Sequence, residues 1–194
     1  MIKALLLIFA PSFTWERIAR ARRNIFFILF LFLIPTIALS VAGEIAGRNY
    51  FEQQNADLRY KVLSRDFAVR YGALEAGVWL VVVFAAAASF KVLSETFHSR
   101  NTYSQCFAAI AYASGPFYLF HLIDIIPVAS PWISLAVGIF FSFSTLYYAV
   151  PHVLKPDPPH AFGLFLMGGI VLTMLNVLAR LFTLQVLTGR LKLF

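Results

Sequence analysis

The chain is poor in charged residues and nearly free of cysteine, and both shortages exclude whole classes of protein. Only 13% of its 194 residues are Asp, Glu, Lys or Arg, whereas soluble domains carry about a quarter. The one cysteine, Cys106, has no partner for an internal disulfide and lies in an apolar run, so inert packing is expected. No Cys/His ligand spacing, P-loop or dinucleotide-binding glycine pattern is present. The sequence therefore predicts no cofactor and contains no spacing motif of a known metal site.

Apolar residues dominate the composition. They make up 60% of the chain, with 21 Phe and a mean hydropathy of +0.78. Apolar stretches of nearly 20 residues recur, and about 20 helical residues cross the roughly 30 Å of hydrocarbon in a bilayer. The predicted fold class is all-α, a polytopic integral membrane helix bundle with five transmembrane helices and interfacial amphipathic segments.

The apolar stretches divide the chain into a short N-terminal segment and a five-span domain. Residues 1–23 are predicted to be an interfacial N-terminal segment, in which a helix after Pro11 carries Trp15 beside several arginines. No small-residue cleavage site follows the first apolar run, which argues against a signal peptide. Residues 44–70 are predicted to form an amphipathic outer loop. The five-span domain, 24–194, has predicted spans at about 24–43, 72–93, 103–126, 132–154 and 161–187.

Basic residues predict the orientation of the chain. The formal net charge is +7, but most Lys and Arg flank the spans, so headgroups and topology explain them better than nucleic acid, which is not an expected partner. Five basic residues precede the first span and predict a cytoplasmic N-terminus with the C-terminus outside. The connections carry eight basic residues on the inside and seven on the outside, so the prediction depends on the first helix.

Ionisable residues within the spans predict a polar cluster near the outer leaflet. At about 1.5 Å per residue, residues in different spans can be compared by height. Asp124 and Arg180 come out level near the outer boundary, with His121 and Asn176 one turn deeper and Glu75 one turn into the second span. The candidate intramembrane cluster is therefore Glu75, His121, Asp124, Asn176 and Arg180, with Asp124 paired to Arg180.

Three interpretations of this cluster remain open. It is an interhelical ion pair with a structural role, or a polar pocket for a proton, an ion or a small ligand. The third interpretation is a metal site formed by His121, Asp124 and Glu75, although nothing else in the spacing selects it. The serines within the spans have no His/Asp relay at their own depth, so no catalytic residues are predicted and the protein is not expected to be an enzyme.

Two stretches resemble the Yip1-domain family of five-span membrane proteins. Residues 9–18 have the sequence FAPSFTWERI. This resembles the N-terminal stretch common in prokaryotic members, in which a proline is followed by a tryptophan and then an isoleucine. Residues 112–116 (YASGP), Ile126-Pro127 and 146–148 (LYY) resemble the proline-bearing third span, the proline turn and the tyrosine-ended fourth span. Ala149 departs from the pattern, since members often have glycine there. The resemblance implies five spans and a cytoplasmic N-terminus, and it links eukaryotic relatives to small GTPases and vesicle traffic. It brings no catalytic residues.

The predicted function is that of a non-enzymatic membrane scaffold or accessory subunit that binds other membrane proteins or shapes the bilayer. Small residues at Ala85–Ala88 and in Ala111-x-x-x-Gly115 favour close helix packing. The alternative is a small transporter or channel subunit that uses the polar cluster. The expected partners are the lipid bilayer and either another membrane protein or further copies of the chain. The resemblance favours a bacterial inner membrane.

Overall fold

The regular structure of the protein is helical throughout the ranges that the computed structural model describes, which are residues 2–9, 11–21, 23–54, 64–126 and 130–191. The α-helices are α1 (Ile2–Phe9), α2 (Pro11–Ala21), α3 (Ile25–Ile28), α4 (Ile34–Gln54), α5 (Arg65–Thr96), α6 (Tyr103–Ala113), α7 (Gly115–Phe120), α8 (Pro131–Ala149) and α9 (Pro158–Leu187). A π-helical turn, Leu29–Leu33, joins α3 to α4. A 3₁₀ segment, His121–Ile125, extends α7, and a second π-helical turn, Val150–Leu154, extends α8.

Within the described ranges, five continuous helical segments are long and apolar enough to cross a membrane, which confirms the predicted fold class. Span 3 is the centre of the bundle, because 72% of its most apolar window is buried, against 28–44% in the other four. The spans are, in order, Ile25–Gly47, Arg65–Thr96, Tyr103–Ile125, Pro131–Leu154 and Pro158–Leu187.

The stretch 44–70, predicted to form an amphipathic outer loop, is helical at both of its ends. Its first part continues α4 to Gln54, and its last part begins α5 at Arg65, while 55–63 lie outside the described residues. The side chain of Ser64 accepts a hydrogen bond from the Phe67 N–H at 3.3 Å and so caps α5. Asp66 lies in the first turn, where a negative charge suits the helix dipole. The two spanning helices therefore extend into this stretch.

The N-terminal helices pack against the bundle as well as presenting apolar residues outward. Leu7 and Trp15 are fully buried, and the Trp15 ring meets Tyr112 of span 3 edge-on with centroids 6.3 Å apart. Helix α1 contacts α6, α7 and α8, and α2 contacts the end of span 4. Phe9 and Phe13 remain exposed on the other face. The segment predicted to be interfacial thus contributes to the core.

Prolines within the spans are accommodated by local changes of helix type. Proline removes one backbone N–H and crowds the carbonyl four residues earlier. Pro35 lies two residues after the first π-helical turn and Pro151 lies inside the second. The Thr36 hydroxyl donates to the Phe32 carbonyl. This bond adds a donor beside the span 1 carbonyl that Pro35 leaves without its backbone N–H, and both spans stay helical through their prolines.

Span 3 breaks in the middle, ahead of Pro116. Helix α6 ends at Ala113, and α7 begins at Gly115 with the proline in its first turn. The Thr145 hydroxyl of span 4 donates to the Ala113 carbonyl at 3.1 Å in the buried interior. Span 4 thus satisfies a backbone group of span 3 at the point where the helix is interrupted.

Two glycines one turn apart let span 1 approach the end of span 3. A Cβ on Gly47 would overlap the backbone O, Cα and C atoms of Ile125, and one on Gly43 would lie 2.8 Å from the Leu122 side chain. Glycine four residues from glycine is the spacing at which spanning helices pack most closely. This approach places Glu44, which lies between the two glycines, against the 3₁₀ segment.

The first prediction concerns this approach. Gly47→Ala should lower the free energy of unfolding by about 1–3 kcal/mol, because the new methyl group meets backbone and not a flexible side chain. Thermal unfolding in mild detergent measures the change. Gly77→Ala is the matched control, since no atom lies within 4 Å of a Cβ there. Equal stability of the two variants would contradict the close packing.

Candidate functional site

Five ionisable side chains from four spans meet in the interior of the bundle. Span 1 contributes Glu44, span 2 Glu75, span 3 His121 and Asp124, and span 5 Arg180. The exposed fraction is 5% for Asp124, 2% for His121 and 0% for the other three. Charged groups are rare and costly at such positions unless they pair with one another. We refer to these five residues as the buried charge cluster.

The 3₁₀ segment at the end of span 3 sets two members of the cluster side by side. A 3₁₀-helix has three residues per turn, so side chains three positions apart are eclipsed. His121 begins this segment and Asp124 follows three positions later. The imidazole Nδ1 lies 2.9 Å from the Asp124 Oδ2. The change of helix type therefore aligns the ring and the carboxylate.

Arg180 joins three spans through its guanidinium group. Its Nη1 donates to Glu44 Oε2 at 3.3 Å and to Glu75 Oε1 at 3.2 Å. Its Nη2 donates to Asp124 Oδ2, which is the shortest contact in the cluster. The planar guanidinium has several donors in fixed directions and stays charged, so it suits a site with several carboxylates. Arg180 is the central cation of the cluster.

His121 contacts every other member of the cluster. Its Nε2 lies 3.3 Å from Glu44 Oε2, 3.4 Å from Glu75 Oε1 and 3.2 Å from Arg180 Nη1. The Trp79 ring meets the imidazole edge-on at a centroid distance of 5.7 Å, and the Phe117 ring stacks at 6.1 Å. These aromatic rings cover the polar contacts on the side that faces the middle of spans 2 and 3.

The hydrogen positions around His121 allow two arrangements. If Nε2 carries a hydrogen, it donates to the Glu44 and Glu75 carboxylates. If Nε2 is bare, it accepts from Arg180 Nη1. Its lone pair would then repel the nearby oxygens of Glu44 and Glu75, unless one of these carboxyl groups is protonated and donates to the ring. The two arrangements differ by one proton moved over about one hydrogen-bond length. The cluster therefore has the chemistry to hold a proton and to exchange it between imidazole and carboxylate.

The donor set also includes three groups of the kind that bind divalent metals. Glu44, His121 and Asp124 each offer one ligand atom, and these atoms lie within 4.8 Å of one another. The trio considered from the sequence had Glu75 in place of Glu44. Arg180 donates to the carboxylates of both Glu44 and Asp124. Because the guanidinium already occupies the place beside them that a cation would take, the geometry favours a built-in counter-ion over a metal.

Four of the five residues that the sequence singles out lie together: Glu75, His121, Asp124 and Arg180. Asp124 and Arg180 are in direct contact. Asn176 is buried one turn from Arg180, but its Nδ2 donates to the Leu172 carbonyl at 2.7 Å, and among the described hydrogen bonds it has none to the cluster.

Glu44 belongs to the cluster but is absent from the sequence prediction, which assigns it to the outer loop. The signal that could have found it is Gly43-x-x-x-Gly47, a close-packing pattern that extends span 1 past residue 43. A glutamate between two packing glycines lies close to the partner helix, and Glu44 is indeed fully buried. Because the apolar run ends at residue 43, the sequence prediction ends span 1 there and assigns Glu44 to the loop.

Comparison with known proteins identifies one family. A family model described as the Yip1 domain matches residues 5–181. The match extends from α1 to the residue after Arg180, so it includes all five members of the buried charge cluster. No curated protein and no solved structure matches the chain.

The second prediction tests the role of the central cation. Arg180→Leu should lower the free energy of unfolding by about 3–5 kcal/mol, because it leaves buried carboxylates without their cation. Thermal unfolding and yield in mild detergent measure the loss. Arg190→Leu is the matched control, since Arg190 is exposed beyond the end of the same helix. Wild-type stability of Arg180→Leu would disprove the structural pairing.

The third prediction concerns the balance of charges. The five side chains include three carboxylates but only one guanidinium and one imidazole, so the cluster tolerates loss of an acid better than loss of Arg180. Glu75→Gln keeps the shape and an acceptor for Arg180 Nη1, and should change stability by no more than about 1 kcal/mol. The expected order of melting temperatures is wild type, Glu75→Gln, then Arg180→Leu. A Glu75→Gln variant as unstable as Arg180→Leu would contradict this account.

Proposed function

The chain belongs to the Yip1 domain family of membrane proteins, and from this premise we propose that it is a non-enzymatic membrane scaffold or accessory subunit. Its task is to bind other membrane proteins or to shape the bilayer around them. Its partners are the bilayer itself and either another membrane protein or a second copy of the chain.

The observation that carries this proposal is the distribution of polarity across the bundle. The ionisable groups deep in the spans pair with one another inside the bundle, and the cluster that they form is at most 5% exposed. The outward side chains of spans 2, 4 and 5 are large and apolar, as with Val81, Phe140 and Met174, exposed by 66%, 68% and 59%. Such a surface is suited to contacts with lipid tails and with other spanning helices.

The proposed location is a bacterial inner membrane, with the N-terminus in the cytoplasm and the C-terminus outside. The basic residues ahead of span 1 support this orientation because positive charge is retained on the cytoplasmic side. Within the described residues, Arg17, Arg20 and Arg23 lie at that end of the bundle. The cluster then lies near the outer leaflet.

One observation favours the second candidate function, a small transporter or channel subunit. The buried charge cluster can exchange a proton between His121 and a carboxylate, and intramembrane ionisable groups frequently mark proton or ion pathways. Five spans are few for a transporter that acts alone. This alternative therefore requires an oligomer or a larger partner.

The fourth prediction separates the two functions. A photoreactive benzophenone side chain placed at Val81, Phe140 or Met174 samples three exposed faces in living cells. For a scaffold, at least one face should give an adduct with a single membrane protein, or with a second copy of the chain, while the remaining faces give lipid adducts alone. Mass spectrometry identifies the adducts.

Reconstituted proteoliposomes provide the opposing result. Lipid adducts alone at all three faces, together with a proton flux that Asp124→Asn abolishes, would overturn the scaffold proposal and support transport. Asp157→Asn is the matched control for the flux, because Asp157 is an exposed acid in the connection between spans 4 and 5.

A further inference from the structure

A second polar region lies at the opposite end of span 3 from the buried charge cluster, and the proposed function makes no use of it. A cavity of about 390 Å³ opens there between four parts of the chain. Helix α2 and the residues after it form one side, and the start of span 3 and the end of span 4 form the other. Its lining residues are Ile18, Ala19, Arg23, Ile28, Thr102, Ser104, Gln105, Ala108, Tyr112, His152, Val153 and Lys155.

The charged groups in this cavity all have the same sign. Arg23 and Lys155 line it together with His152, and no carboxylate is among the described lining residues. The acids nearest in sequence do not line it: Glu16 pairs with Arg20 at 3.3 Å, and Asp157 lies exposed two residues after Lys155 in the same connection. Within the described part of the chain neither Arg23 nor Lys155 forms a salt bridge. The cavity is therefore a local concentration of positive charge, with no counter-ion among its described residues.

Both cations have anchored positions. The Arg23 guanidinium carbon lies 4.3 Å from the centroid of the Phe27 ring. Lys155 has a left-handed backbone, φ 45°, and its N–H bonds to the Val150 carbonyl at 3.0 Å. The carbonyl of the preceding residue accepts a hydrogen bond from the Ser99 hydroxyl. Both side chains are exposed, but the ring contact restrains the Arg23 guanidinium and the backbone bonds fix the point from which the Lys155 side chain extends, which lowers the conformational entropy lost on binding an anion.

Neutral donors supplement the two cations. The imidazole Nδ1 of His152 bonds to the Tyr148 carbonyl at 2.7 Å, which leaves Nε2 for other partners. Span 3 begins at the cavity, with Thr102 and Gln105 forming a reciprocal cap and Ser104 in the first turn. The reciprocal cap already satisfies the Thr102 and Gln105 N–H groups, but the positive end of the helix dipole still favours an anion near it.

We infer that this cavity binds a phosphate group, supplied either by the headgroup of an anionic phospholipid or by free phosphate. Arginine and lysine with hydroxyl and backbone donors are the groups that recognise phosphate oxygens. Apolar side chains of Ile18, Ile28 and Val153 share the same walls, so an amphipathic molecule finds contacts for both of its parts. The volume lies within the range of about 300–1,000 Å³ that is usual for small-ligand sites.

The site also suits the side of the membrane on which it is proposed to lie. The cytoplasmic leaflet carries anionic lipids, and each Lys or Arg near the surface gains favourable interaction with them. The cavity is formed by the N-terminal segment and two span ends. A phospholipid bound there would therefore hold α2 against the bundle.

The fifth prediction compares ligands and variants in detergent. Phosphatidylglycerol should raise the melting temperature of the full chain, whereas zwitterionic phosphatidylcholine should have a much smaller effect. Arg23→Gln with Lys155→Gln should weaken phosphatidylglycerol binding about tenfold or more, because two charge-assisted contacts are lost. Native mass spectrometry of the lipid-bound fraction provides the second readout. Arg100→Gln is the matched control, since Arg100 is exposed at the same end of the bundle and does not line the cavity.

Inorganic phosphate, compared with chloride at equal ionic strength, distinguishes the two sources. If inorganic phosphate, and not phosphatidylglycerol, raises the melting temperature and the double variant loses this increase, the site binds free phosphate. If only phosphatidylglycerol raises the melting temperature in this variant-sensitive way, the site binds the lipid headgroup. The inference fails if the double variant and Arg100→Gln respond equally to phosphatidylglycerol, because general surface charge would then explain the binding. It also fails if neither ligand binds.

Discussion

A guanidinium group surrounded by three carboxylates inside a hydrocarbon-spanning bundle is the interaction on which the rest of the structure depends. Arg180 of span 5 contacts carboxylates from spans 1, 2 and 3, and the imidazole of His121 completes the set. An unpaired charge at such depth is strongly unfavourable. The four spans that contribute to the cluster can therefore separate only by exposing a charge to lipid, and this requirement fixes their relative rotation.

The helices adapt their backbones so that these charges can meet. The 3₁₀ segment at the end of span 3 aligns His121 with Asp124, and the glycine pair of span 1 brings Glu44 against this segment. Prolines in spans 1 and 4 are accompanied by π-helical turns, and Thr145 satisfies a carbonyl at the break in span 3. In lipid no water is present to solvate irregular backbone, so each departure from α-helix needs a partner within the protein.

The charged residues at the two ends of span 3 are arranged differently. At one end, cations and anions pair with one another away from solvent, which favours a rigid bundle with an apolar exterior. At the other end, Arg23 and Lys155 line a cavity together, and none of the other described lining residues is a carboxylate. The first arrangement is suited to a scaffold whose contacts are with lipid and neighbouring helices. The second is suited to an anion that joins the N-terminal helices to the bundle, so the two properties are compatible in one protein.

The sequence by itself determined the five spans, since long apolar runs have one stable state in a bilayer. It also brought Asp124 level with Arg180, because helical rise fixes the height of a residue. Only the tertiary structure decided which faces meet. Rotation about each helix axis follows from packing, and so Glu44 joins the cluster while Asn176 bonds its own helix. The burial of Trp15 likewise depends on a surface formed by other parts of the chain.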